Sequence, residues 1–136
     1  MRRILWGLVT NFYPWFLRKM YKMNLGKGCK IAMSAHLDKS INPKGIHIGE
    51  NTWVLREAMI LAHGHCRSLR VDVVIGKNCV IGIRSIIMPG VKIGDSVLVV
   101  GGSIVTKDIP DNCVVVGNPA KVIKTGVKVS NSKIVN

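Results

Sequence analysis

Residues 75–105 read IGKNCVIGIRSIIMPGVKIGDSVLVVGGSIV, with an aliphatic side chain at Ile75, Ile81, Ile87, Ile93, Val99 and Val105. A period of six matches neither the roughly 3.6-residue recurrence of a helix face nor the two-residue alternation of a lone strand. It calls for a repeat in which a short strand, a turn and the next short strand wind about one axis, so that each sixth residue points inward. The expected fold is all-β, a parallel β-helix.

Working outward, the frame runs back through Leu25, Ile31 and Leu37, resets at the turn-rich NPKG of Asn42 to Gly45, and resumes at Ile48, Val54 and Ile60. Ile75 lies fifteen residues after Ile60, which is not a multiple of six. The intervening HGHCRSLRVDV must therefore leave the coil as a loop near residues 64–74, and loops carried by a rigid repetitive scaffold are where function tends to sit. The frame ends near Pro110. Gly49, Gly76, Gly82 and Gly94 each follow an inward residue, and Asn51, Asn78 and Asp95 lie near the turns. They are expected to supply backbone dihedrals that other residues adopt at a cost.

A chain of 136 residues holds one domain and one continuous core. Its four cysteines, Cys29, Cys66, Cys79 and Cys113, form no CxxC pair or zinc-like cluster, which points to reduced thiols and a reducing compartment. Cys29, Cys79 and Cys113 read as small apolar fillers, while Cys66 beside His65 reads as incidental to its loop. The net charge of +13 is concentrated at the ends, since no acidic residue precedes Asp38 or follows Asp111. An anionic partner is implied, and charge alone does not choose among nucleic acid, membrane, glycan and phosphorylated cofactor.

The first 23 residues hold six of the seven aromatic residues, all but Trp53. Ile4, Leu5, Leu8, Val9 and Phe12 follow helical spacing, and Pro14 is expected to kink or end that run. The apolar stretch is too short and interrupted for a membrane-spanning helix, and no small-residue cleavage site follows it. Residues 1–24 therefore read as an amphipathic aromatic and basic segment. It either packs on the body or a neighbouring subunit, or anchors the chain at a membrane surface through residues 1–23. Residues 25–125 form the repeat domain, and 126–136 a basic tail expected to fray.

The hexads, together with IGIRSIIMPGVKIGD, GGSIVTKDIPDNCVVVGNPAKVIK and the upstream ILAHGH, resemble the hexapeptide-repeat acyltransferases, and among them the sugar and polysaccharide O-acetyltransferases. The resemblance covers about residues 25–125. It implies a left-handed parallel β-helix, a homotrimer with active sites between subunits, acetyl-CoA as co-substrate without a metal, and a sugar hydroxyl as acceptor. On this resemblance His63 is the catalytic base, with His65 as the backup candidate in contact with substrate. The nearest carboxylates in sequence, Asp72 and Glu57, are candidates to orient the imidazole, and Asp72 is carried forward as the catalytic partner. Cofactor contacts fall on Ile83, Gly101 and Thr106 along the coils, with Lys121 and Lys124 near the nucleotide phosphates. Ile83 stands where the family has a serine hydroxyl. Asp38, Arg84 and Trp53 are candidates for the acceptor side, and Gly117, Asn118 and Pro119 for shaping a turn.

The compact form and its basic aromatic N-terminus look more like enzymes of surface-polysaccharide or lipopolysaccharide synthesis, with a sugar or lipid-linked sugar as acceptor. Such an enzyme would be cytoplasmic or peripheral on the inner face of the membrane. Alternatives are a non-catalytic solenoid scaffold and a serine acetyltransferase-like enzyme, although the long N-terminal domain of the latter has no match here. The two-residue spacing of His63 and His65 argues against the zinc site of a γ-type carbonic anhydrase. Nucleic-acid binding rests on charge alone, without interleaved aromatics, and is not expected.

Overall fold

The computed structural model describes residues 2–64 and 69–135. Because each hexad has only a few extended residues before its turn, the strands are short. After helix α1 (Arg2–Tyr21) come β1 (Asn24–Leu25), β2 (Lys30–Ile31), β3 (His36–Leu37), a 3₁₀ turn at Pro43–Gly45, β4 (Ile46–Ile48), β5 (Trp53–Val54) and β6 (Met59–Ile60). A hairpin, β7 (His63–Gly64) and β8 (Leu69–Arg70), precedes β9 (Val73–Ile75), β10 (Val80–Ile81), β11 (Ile86–Ile87), β12 (Lys92–Ile93), β13 (Leu98–Val99) and β14 (Ile104–Val105). The chain closes with β15 (Cys113–Gly117), β16 (Ala120–Thr125), β17 (Lys128–Ser130) and β18 (Lys133–Val135).

The strands fall into three parallel sheets that the chain visits in rotation. Sheet A is β1-β4-β9-β12 and sheet C is β3-β6-β11-β14; sheet B runs β2-β5-β10-β13-β15, with β16 added antiparallel at its end. Register stacks the hexad residues in columns: Leu25, Ile48, Ile75 and Ile93 in sheet A, Ile31, Val54, Ile81, Val99 and Val115 in sheet B, and Leu37, Ile60, Ile87 and Val105 in sheet C. All of them are buried and together they form the core. Cys29, Cys79 and Cys113 are buried as small fillers beside them.

The glycines have a different reason from the one expected. Gly49 and Gly76 do not adopt positive φ, and a Cβ on Gly49 would lie 2.5 Å from the carbonyl carbon of Gly76 in the next coil. Close approach of stacked coils excludes a side chain there. The left-handed backbone is taken instead by the turn residues Asn51, Asn78 and Ser96, with φ of 57°, 55° and 55°. Glu57 and Arg84 adopt it as well.

Two further expectations are corrected. Helix α1 runs through Pro14, because Tyr13, Pro14 and Leu17 are buried against the body and that packing offsets the backbone hydrogen bond a proline cannot donate. The Arg18 guanidinium ties the helix end down, with Nε donating to the Leu25 carbonyl at 2.8 Å and Nη2 to that of Gly26 at 2.7 Å. The C-terminal segment does not fray. It forms the β17–β18 hairpin, whose base is held by reciprocal hydrogen bonds between Asn112 and Val127. Val127 and Val129 bury themselves with Val80 and Val114 in a second, smaller apolar cluster.

Candidate active site

Both interruptions of the six-residue frame occur between a strand of sheet C and the next strand of sheet A, in adjacent coils. Leu37 and Ile48 are eleven residues apart and Ile60 and Ile75 fifteen, where a regular hexad takes six. Since Leu37 pairs with Ile60, the two insertions leave the coil one above the other. Asp38 opens the first, and His63 stands near the start of the second.

This stacking puts a buried carboxylate on the imidazole. His63 Nδ1 lies 2.5 Å from Asp38 Oδ2, with the His63 and Asp38 side chains 14% and 1% exposed. The backbone N–H of Ile41 donates to the other oxygen, Oδ1, at 3.1 Å. Burial pushes the Asp38 carboxyl up, but the hydrogen bonds from His63 and from the Ile41 and Asn42 backbone outweigh it, and the net shift is downward. An ionised Asp38 only accepts hydrogen bonds, so Nδ1 carries the proton and the lone pair of the neutral ring lies on Nε2. The backbone beside His63 is pinned too. The Asn42 side-chain amide and the Val71 N–H both donate to the Ala62 carbonyl, at 2.9 and 3.0 Å.

The structure thus brings Asp38 rather than Asp72 or Glu57 to His63. Asp72 lies at the far end of the hairpin insertion, where its Oδ2 is 2.9 Å from His47 Nε2. His47 Nδ1 in turn accepts from the Asn24 amide at 3.0 Å. Glu57 is taken by Arg84, whose Nε donates to it at 2.6 Å. Asp38 is also not exposed enough for the acceptor contact first expected of it, because both its oxygens are engaged within the protein. His65 and Cys66 lie outside the described residues.

The remaining candidates occupy two corners. Ile83 and Gly101 stack at the turn from sheet B to sheet C, where the Gly102 N–H donates to the Ile83 carbonyl at 2.8 Å. A Cβ on Gly101 would lie 3.0 Å from that carbonyl oxygen. Arg84 is exposed at the same corner. Thr106 shares His63's corner, directly after Val105 as Asp38 is directly after Leu37. Lys121 and Lys124 are exposed on β16. The turn joining β15 to β16 contains a cis Asn118–Pro119 bond and Gly117 at φ 110°. A groove of about 540 Å³ between Trp6 of α1 and the outer face of sheet B is lined by Lys30, Met33, Trp53, Arg56 and Ile83, and does not include His63. Among the described residues no group of three His, Cys, Asp or Glu side chains can hold a metal ion.

Residues 72–107 match the family model described as bacterial transferase hexapeptide (six repeats). A putative acetyltransferase, YvoF, of Bacillus subtilis (strain 168) is 38% identical over 113 residues, covering 82% of this chain and 65% of that protein. This chain therefore spans just under two thirds of that relative's length. The crystal structure of a maltose O-acetyltransferase from Clostridium difficile 630 is 31% identical, covers 86% of this chain and 74% of that one, and superposes with a TM-score of 0.64. A galactoside acetyltransferase in complex with coenzyme A is 26% identical over 82% of this chain and 68% of that one, with a TM-score of 0.59. From the repeat match and the similarity along most of its length, the chain belongs to the hexapeptide-repeat transferase family.

Proposed function

We propose that the protein is an acetyl-CoA-dependent O-acetyltransferase acting on a sugar hydroxyl, its three sheets wound as a left-handed β-helix and its sites completed between the subunits of a homotrimer. The observation that carries this reading is the His63–Asp38 pair. A sugar hydroxyl is scarcely ionised at neutral pH, so its attack on a thioester carbonyl needs a base at the moment of bond formation. The buried carboxylate holds the imidazole in the tautomer whose Nε2 can take that proton, and stabilises the imidazolium that results. Acetyl-CoA, when bound, would supply the acyl group as a thioester, its C–S bond breaking as the ester bond forms and the departing thiolate taking back the proton held on His63 Nε2.

The cofactor positions fit a long, thin ligand laid along the coils. Gly101 has no side chain and Ile83 is half exposed at one open corner, so a pantetheine arm can lie against backbone there. Thr106 offers a hydroxyl on the neighbouring corner, and Lys121 and Lys124 offer point charges for phosphates. Within one protomer, sheet C separates the Ile83 and Gly101 corner from the His63 corner. That separation favours a site in which the base of one subunit meets the cofactor column of the next.

The similarity to maltose and galactoside acetyltransferases supports a carbohydrate acceptor. The basic, aromatic helix α1 favours an acceptor of surface-polysaccharide or lipopolysaccharide synthesis, a sugar or a lipid-linked sugar. Reduced, buried Cys29, Cys79 and Cys113 favour a cytoplasmic setting. The test is His63→Ala, which should abolish acetyl transfer while coenzyme A affinity and assembly mass stay as in the wild type. Unchanged turnover would remove His63 from the reaction.

A further inference from the structure

Helix α1 is apolar on two sides, and only one of them meets the protein. Tyr13 and Leu17 face the body and are 7% and 0% exposed. At 3.6 residues per turn, Ile4, Leu8, Phe12 and Trp15 form a stripe on the opposite side, with Leu5 and Val9 beside it. These six side chains are 47–70% exposed. Such a run of large apolar groups on a helix face marks a contact surface rather than scattered surface hydrophobes.

The charges around the stripe identify its occupant. Arg2 and Arg3 precede it, Lys19 continues it one turn beyond Trp15, and no acidic residue occurs before Asp38. A second copy of the helix would set like charges together in either orientation: Arg2 and Arg3 against Lys19 when antiparallel, or against their own equivalents when parallel. An anionic lipid surface satisfies both the apolar stripe and the cations at its ends. The stripe is about 17 Å long, against about 30 Å of bilayer hydrocarbon, and no helix among the described residues is long and apolar enough to cross a membrane. We propose that α1 lies flat in the headgroup region of an anionic bilayer, with Ile4, Leu8, Phe12 and Trp15 in the acyl boundary and Arg2, Arg3 and Lys19 on lipid phosphates. This does not depend on the proposed reaction.

The experiment is flotation of the full chain with phosphatidylcholine vesicles containing about 30 mol% phosphatidylglycerol, and with phosphatidylcholine alone. The wild type should float only with the anionic vesicles. Neutralising a cation near the surface lowers partitioning about fivefold, so the R2Q/R3Q/K19Q variant should partition about a hundredfold more weakly. The L8E/F12E variant should not float, with melting temperature and sedimenting mass unchanged. Three results would overturn the proposal: no flotation of the wild type on anionic vesicles, flotation of L8E/F12E like the wild type, or a loss of assembly mass in L8E/F12E, which would make the stripe a subunit contact. If L8E/F12E melts early, the charge variant decides on its own.

Discussion

Replacing Asp38 with asparagine changes almost nothing in shape and, by the geometry of its two hydrogen bonds, inverts the tautomer of His63. The Ile41 N–H donates to Oδ1, so the oxygen of the introduced amide must stay there to accept it. The amide nitrogen then occupies the place of Oδ2 and points its N–H at His63 Nδ1. The ring answers by accepting at Nδ1 and carrying its proton on Nε2, where it can no longer act as a base. A positioned general base contributes about 10²–10⁴ in rate, so Asp38→Asn should lower kcat/KM by about that factor, or about 3–5 kcal/mol in the barrier. Asp38→Ala should behave differently. It leaves the tautomer free, so it should cost less rate than Asp38→Asn does. It also strands the Ile41 N–H, at about 1–3 kcal/mol of stability.

The assay is release of coenzyme A thiol with acetyl-CoA and a panel of sugar acceptors, alongside urea unfolding. Two-bond ¹H–¹⁵N spectra of the His63 ring report the tautomer without any acceptor. Asp38→Asn within about threefold of wild-type activity, or a ring still protonated at Nδ1 in that variant, would refute the reasoning.

Three other outcomes follow from the same structure. Because the Asp38 carboxyl is held below its ordinary value, its contribution to stability is complete above the ordinary carboxylate range and disappears as pH falls through the lower, folded value. The stability gap between wild type and Asp38→Ala, measured by unfolding, should therefore narrow as the pH is lowered into acid and reopen on return to neutral pH. Gly76→Ala should cost about 1–3 kcal/mol, since its Cβ would sit 2.6 Å from the Gly94 carbonyl oxygen, and a melting temperature equal to wild type would contradict the close coil contact. Burial pushes the Cys79 thiol up to about 11 and raises that of Cys29 as well, so neither should react with a thiol reagent at about pH 8 until denaturant is added. Peptide mapping of the labelled chain checks this.

Most of the scaffold was legible because each coil must send one aliphatic side chain inward per sheet, and counting by six from Ile75 reaches every core column. The same count located both insertions. The partner of His63 was harder to see. A solenoid brings together residues one coil apart, so the relevant carboxylate lay 25 residues upstream, next to Leu37, while Asp72 was closer along the chain. The signal was present: Asp38 follows the sheet C residue directly beneath Ile60, at the start of the other insertion. The role of the glycines was hidden because sequence does not distinguish a residue needed for its φ from one needed for its missing Cβ. Basic charge in the C-terminal segment masked the alternating valines of GVKVS, which bury Val127 and Val129 and make the tail a hairpin. Continuity of α1 through Pro14 depended on tertiary packing that helical propensity does not contain.

Calorimetric titration of the purified protein with acetyl-CoA at moderate salt, repeated on Lys121→Ala/Lys124→Ala, tests the proposed function most directly. Saturable binding near one molecule per chain, at least about tenfold weaker in the double variant, is the predicted result. Absence of binding at millimolar acetyl-CoA would contradict the acetyltransferase reading and leave a repeat scaffold whose His63–Asp38 pair has no acyl group to act upon.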